Sequence, residues 1–320
     1  MSNREVVIHG TAELLAATTA ARLVTRLVDL QSSGRIPAVA LTGGGVGTSV
    51  LRHLNASPAR DAVDWSRVEI FWGDDRFVPS DDPERNERQA RETLLDHVRV
   101  DPARVHPMAP SDGEFGDDVD AAAGAYADLI DSREGLDLIM LGMGGEGHVA
   151  SVFPESPAVY DTRPVVAVRN CPKPPPTRVS LTLPTIRRAT EVWIITAGAE
   201  KAGAVAMTWD GAGEVAVPAA GAVGRTRTLW LLDRHSAAAL PPGISRAPTR
   251  SATEVPSKAC FGLSVMSTPA SSGKAQSSSS IAVPSAALSA GVISSRLSRT
   301  GVSGPSIAPE AMRNNSAYPI

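Results

Sequence analysis

Short apolar runs that stop abruptly at glycine-rich or polar turns, separated by amphipathic helical stretches, are what most limit how this chain can fold. Residues 11–31 carry Leu14, Leu15, Ala21, Leu23, Val24, Leu27 and Leu30 at helical spacing, and Gly34 ends the run. Strands are predicted at 38–41, 68–71, 138–141, 165–168, 179–183, 192–196 and 228–232, with further helices at 48–55, 84–97, 117–131, 200–207 and 234–240. Such alternation implies an α/β fold: a largely parallel sheet buried by helices on both faces. There is no internal repeat.

The pattern holds to about residue 241. From 242 to 320 the chain turns to Ser, Ala, Pro and Gly, with Ser277 to Ser280 in a row. A segment of this kind cannot bury enough apolar surface to offset its ordering entropy, so it is expected to be a disordered appendage. The chain therefore divides into a domain, 1–241, and a low-complexity tail, 242–320. The whole has a net charge of −3, but the tail holds seven basic and two acidic residues, leaving a net of −8 in the body. An acidic body argues against nucleic acid as a partner. Two cysteines, Cys171 and Cys260, suit a reducing compartment. With no run of membrane length and no apolar leader at the N-terminus, a cytoplasmic protein is expected.

Three strand ends carry candidate chemistry. The segment 137–156, DLIMLGMGGEGHVASVFPES, drives a buried strand into a glycine turn that presents His148 near the start of an apparent helix. Gly142, Gly144 and Gly147 match the dinucleotide fingerprint G-x-G-x-x-G, but Pro154 interrupts the helix that fingerprint needs. The next strand also ends in Arg169 rather than an acid. In VALTGGGVGTSVL, Thr42 precedes Gly43, Gly44 and Gly45 at a helix start, where free N–H groups and the helix dipole suit an anion. In EIFWGDDRFVP, Asp74, Asp75 and Arg76 fall at the carboxyl end of a strand, and Arg76 suits phosphate or carboxylate.

Two further segments supply cations. In CPKPPPTRVSLTLP, three prolines stiffen a loop between Lys173 and Arg178. Lys201 sits in a helix's first turn, where the dipole disfavours a cation unless an anion is near. The six histidines show no metal-ligand spacing, and no metal or cofactor is expected.

Together LTGGGVGTSVL, FWGDDRFVP with Asn86 following, LGMGGEGHVASVFP, KPPPTRVSLTLP and TAGAEKA resemble the 6-phosphogluconolactonase family, within the glucosamine-6-phosphate isomerase/deaminase superfamily. They occur in the family's order over about residues 5–240. Two positions depart from it: Asp75 stands where glutamate is common, and Glu146 where aspartate is common. The resemblance implies a deaminase/isomerase-like fold, three-layer α/β/α around a mostly parallel, Rossmann-like sheet. It also implies hydrolysis of a sugar-phosphate lactone, 6-phospho-D-glucono-1,5-lactone. On that reading His148 is the general base, Glu146 or Asp75 orients it, and glycine-turn N–H groups with Arg76 hold the oxyanion. Thr42, Gly43, Gly44, Gly45, Lys173, Arg178 and Lys201 are then the substrate- and phosphate-binding set. A related isomerase or deaminase, or a sugar-phosphate sensor without catalysis, would use the same anion site.

Overall fold

The computed structural model describes residues 3–241, 243 and 244. The 242–320 segment lies outside the described residues, apart from Gly243 and Ile244. Six strands form a wholly parallel main sheet: β1 (Asn3–His9), β2 (Ala38–Leu41), β3 (Glu69–Trp72), β5 (Leu138–Gly142), β8 (Glu191–Thr196) and β9 (Arg227–Asp233), in the order β1-β9-β8-β5-β2-β3.

Strand side chains alternate between the two faces, and the core divides accordingly. Val39, Leu41, Trp193, Ile195, Leu229 and Leu231 pack beneath α1 (Ala12–Ser32), α2 (Gly44–Ala56) and α3 (Asn86–Thr93). Their neighbours Ala40, Val192, Ile194, Trp230 and Leu232 face α4 (Val119–Asp131), α5 (Leu183–Arg187), α6 (Ala202–Trp209) and α7 (Pro218–Gly221). Each such buried aliphatic side chain contributes about 1.5–3 kcal/mol. Three layers result, because both faces of every central strand are apolar.

A second, antiparallel sheet joins β4 (Asp74–Arg76), β7 (Arg178–Leu181) and β6 (Val165–Val168), in the order β4-β7-β6. Gly73 is the corner between sheets: its N–H donates to the Leu41 carbonyl at 3.1 Å, and its own carbonyl accepts from Leu181 at 2.9 Å. The strands expected at 165–168 and 179–183 therefore exist, but outside the parallel sheet. Leu183 instead begins α5, with Pro184 in its first turn.

Other departures are local. No helix forms at 234–240, which is a run of turns in which Asp233 accepts the Ser236 N–H and Ser236 donates its hydroxyl to the Thr196 carbonyl. The expected helix at 84–97 shortens to α3. The glycine turn carrying His148 does not open a helix, but closes on itself through bridges of Val149 to Met143 and to Val152.

From β2 the chain proceeds to β3 on one side, while β5, β8, β9 and β1 extend on the other. The boundary between β2 and β5 is thus a topological switch point, where a crevice opens at the carboxyl ends of the strands. Gly142 N–H donates to Thr42 Oγ1 at 3.1 Å across that boundary.

Candidate active site

A cavity of about 570 Å³ lies at this switch point. Of the residues expected from sequence, Thr42, Gly43, Gly44, Gly45, Arg76, His148, Lys173, Arg178 and Lys201 line it, from five separate segments. Asp75 and Glu146 do not; Glu146 contacts His148, and Asp75 lies elsewhere.

One wall is the N-terminus of α2. Gly43 is its N-cap and offers no side chain to the first-turn N–H groups, which leaves them for a ligand. Two glycines here have steric causes. A Cβ on Gly43 would overlap the Asn86 amide, and one on Gly47 would overlap the Thr42 carbonyl.

The facing wall is the glycine turn. Gly144 N–H donates to the His148 carbonyl at 3.0 Å, and Gly147 N–H to the Gly144 carbonyl at 3.1 Å. The imidazole lies directly on Gly144, whose missing Cβ leaves room for Nδ1 and Cε1. Phe153 supports the ring from another side, centroids 4.5 Å apart. Next in the turn Ala150 is held at φ 50°, a conformation costly for a residue with a Cβ, and it lines the cavity.

Glu146 Oε1 sits 2.9 Å from His148 Nδ1, and Glu146 Oε2 lies 3.1 Å from Lys173 Nζ. Burial holds His148 below the usual imidazole value of 6.5; the Glu146 charge pulls it up, and Lys173 pushes it down again. For Glu146, burial acts upward, but its own backbone N–H, His148 and Lys173 outweigh this and hold it at about 2. The pair at neutral pH is thus a carboxylate and a neutral imidazole. With Nδ1–H donated to Glu146, the Nε2 lone pair is left to accept a proton.

The small sheet supplies the cations. In its register Arg76 stands opposite Arg178, and Asp74 opposite Ser180. Like charges directly opposite one another are unfavourable, so two arginines paired at a cavity wall mark a place for an anion. Arg178 is nearly fully buried and clasps the proline loop: Nε donates to the Pro175 carbonyl at 3.0 Å and Nη2 to that of Lys173 at 2.8 Å. Arg76 is tied to Glu84 through carbonyl and carboxylate.

Strand alternation decides Asp74 and Asp75. Asp74 shares the cavity face with Arg76; its Oδ2 accepts the Ser151 hydroxyl at 2.6 Å, and its carbonyl accepts Asn86 Nδ2 at 2.8 Å. Asp75 points the other way, into the N-terminus of α3, so the expectation that it orients His148 fails on geometry: its carboxylate is bonded to Arg76, Asn86 and Glu87 N–H groups. Sequence reasoning named Asp74 and Asn86 within motifs without giving either a role, and passed over Ser151. The period-two alternation of Asp74-Asp75-Arg76 was the available signal. Among the described residues, no cluster of His, Cys, Asp and Glu could hold a metal ion, and no helix is long and apolar enough to cross a membrane.

Comparison with known proteins agrees with this arrangement. A family described as glucosamine-6-phosphate isomerases/6-phosphogluconolactonase matches residues 10–230. A 6-phosphogluconolactonase of Streptomyces coelicolor is 53% identical over 250 residues, covering 75% of this chain and 96% of that protein. One of Mycobacterium tuberculosis is 50% identical over 244 residues, covering 74% and 98%. Among solved structures, a 6-phosphogluconolactonase from Trypanosoma brucei superposes with a TM-score of 0.65 at 26% identity, over 75% of this chain and 100% of that one. A monomeric glucosamine-6-phosphate deaminase shares the fold, with a TM-score of 0.62 at 20% identity over 73% of this chain and 99% of its own.

Proposed function

The chain belongs to the glucosamine-6-phosphate isomerase/6-phosphogluconolactonase family and hydrolyses 6-phospho-D-glucono-1,5-lactone in the oxidative pentose phosphate pathway; we propose that His148 is the base of that reaction. The observation that carries this is the 2.9 Å contact of His148 Nδ1 with Glu146, at a cavity walled by a helix N-terminus and paired arginines.

Neutral His148 takes a proton at Nε2 from water as its oxygen bonds to the lactone carbonyl carbon. The carbonyl electrons move onto oxygen, giving a tetrahedral oxyanion. As that intermediate collapses, the ring C–O bond breaks and the leaving oxygen takes the proton back from His148. The product is the open-chain acid, 6-phosphogluconate. General acid–base assistance of this kind contributes roughly 10²–10⁴-fold, and Glu146 stabilises the imidazolium that forms transiently. Arg76 faces the developing oxyanion, while the Gly142, Gly144 and Gly147 N–H groups are already bonded within the protein. The phosphate is assigned to the Gly43–Gly45 turn with Thr42, Lys201 and the Arg178 side of the cavity. Lys173 and Arg178 act together, since the guanidinium holds the loop that carries the lysine.

The test compares two turnovers by one preparation: lactone opening above the uncatalysed rate, and ammonia release from glucosamine 6-phosphate. Lactone opening alone is expected. Ammonia release at a comparable rate would move the chain to the deaminase side of its family, and binding of 6-phosphogluconate with neither turnover would make it a sensor.

A further inference from the structure

We propose that the buried pair Asp75–Arg85 is a positioning device that holds Arg76 and Asn86 at the cavity from behind. The inference rests on the lactonase reading above and adds to it a pair that does not itself touch substrate.

The geometry is that of a clamp. Asp75 is 1% exposed and Arg85 likewise 1%. Asp75 Oδ1 accepts the N–H of Arg76 at 2.8 Å and that of Asn86 at 2.6 Å; Oδ2 accepts Glu87 N–H at 3.2 Å and lies 3.4 Å from Arg85 Nη2. Arg85 in turn donates to the carbonyls of Met108 at 2.7 Å and Arg76 at 3.4 Å. Arg76 is therefore held at both its N–H and its carbonyl. Asn86, fixed at its N–H by Asp75, lays its amide between the Asp74 carbonyl and Gly43. One carboxylate thus ties β4 to the first turn of α3, and through Asn86 to the α2 N-terminus where the phosphate is assigned. The three-residue strand pairs with β7 on one edge, and Asp75 adds the tie to α3.

The charge is kept against the preference of the fold. The charged or titratable groups facing Asp75 are Arg85, from the segment entering α3, and the Tyr126 phenol of α4, itself raised by burial and by Asp75. Burial pushes Asp75 up to about 6, outweighing Arg85 and the three N–H donors. A carboxylate raised in this way contributes stability that is full below its unfolded value of 3.8 and is lost as pH rises through about 6. At neutral pH the ionised form costs stability. Perturbed groups of that kind gather at functional sites.

A mutant cycle tests the proposal. Asp75→Asn is expected to lower kcat/KM at least tenfold at pH 7.5 in the wild type, but less than about twofold once Arg76→Gln and Asn86→Ala are both present, because the clamp acts through those two side chains. The acid limb of the kcat profile at saturating lactone should also lose one proton of steepness in Asp75→Asn, a change that a merely structural role would not produce. The same tenfold loss in both backgrounds, or no loss in either, overturns the proposal. If Asp75→Asn does not fold, Arg85→Lys takes its place in the cycle, keeping a cation beside Asp75 but not both carbonyl bonds, and is read in the same way. A wild type without lactonase activity would instead sink the functional reading itself.

Discussion

Arg76 on β4 and Arg178 on β7 stand directly opposite each other across an antiparallel pair, and both line the cavity at the switch point of the main sheet. Each guanidinium already has a carboxylate near it, Glu84 for Arg76 and Asp74 at 3.9 Å for Arg178, and an anion in the cavity adds to that offset. The empty protein is accordingly expected to gain from its ligand. Saturation with 6-phosphogluconate at about 100 times its Kd should stabilise the fold by about 2.7 kcal/mol. Arg76→Gln should leave the ligand-free melting temperature little changed and shrink the ligand-induced rise. A rise equal to that of the wild type would remove Arg76 from the anion site.

The pH dependence follows from His148. Its neutral form is the base, and burial holds it below 6.5, so activity should fall as pH drops through that lowered value, with protonation of Asp75 near about 6 adding to the fall. Glu146→Gln removes the charge that pulls His148 up. The acid limb should then move to lower pH, while the rate at pH 7.5 falls roughly 10–100-fold as the transient imidazolium loses its partner. A limb that moves upward would mean Glu146 does not govern His148.

Gly144→Ala places a methyl where the His148 ring lies. Gly144 is not at a positive φ, so the backbone accepts the change and the ring must give way. A displacement near 1 Å costs about 10²-fold in rate. The expected result is a folded protein with kcat down by about that factor and product affinity little altered, checked by steady-state kinetics beside calorimetric binding.

Gly43→Ala collides instead with the Asn86 amide at the N-cap of α2. Here the anion site rather than the base is disturbed, so KM should rise more than kcat falls. Equal losses in both variants would merge the two roles proposed for these turns.

Ser151 is fully buried and donates to Asp74 at 2.6 Å. Ser151→Ala leaves that carboxylate short of a partner and should cost about 1–3 kcal/mol of stability, read as a lower urea midpoint at unchanged slope.

Much of this was legible in the sequence, because the informative signals were local. Apolar runs ending in glycine turns fixed most strands of the main sheet, and the motif order pointed to the family before any geometry. What escaped was set by pairing. The strand Asn3–His9 carries polar residues among its apolar ones, and it exists because β9 offers it a parallel edge over seven residues. Strand β4 is three polar residues long and is held by β7, distant in sequence. The part played by Asp75 was misjudged for that reason: only with Asp74-Asp75-Arg76 seen as a strand does the middle carboxylate turn away from His148. The helix inferred after Gly147 failed because the turn returns through Val149 instead of continuing.

The central claim is that His148 is the base of lactone hydrolysis. The direct measurement is opening of lactone generated in situ by wild type and by His148→Ala at matched concentration, with an enzyme-free control for spontaneous opening. The account predicts that wild type exceeds the control and that the variant loses two or more decades while still binding 6-phosphogluconate. A folded His148→Ala within a few-fold of wild type would contradict it.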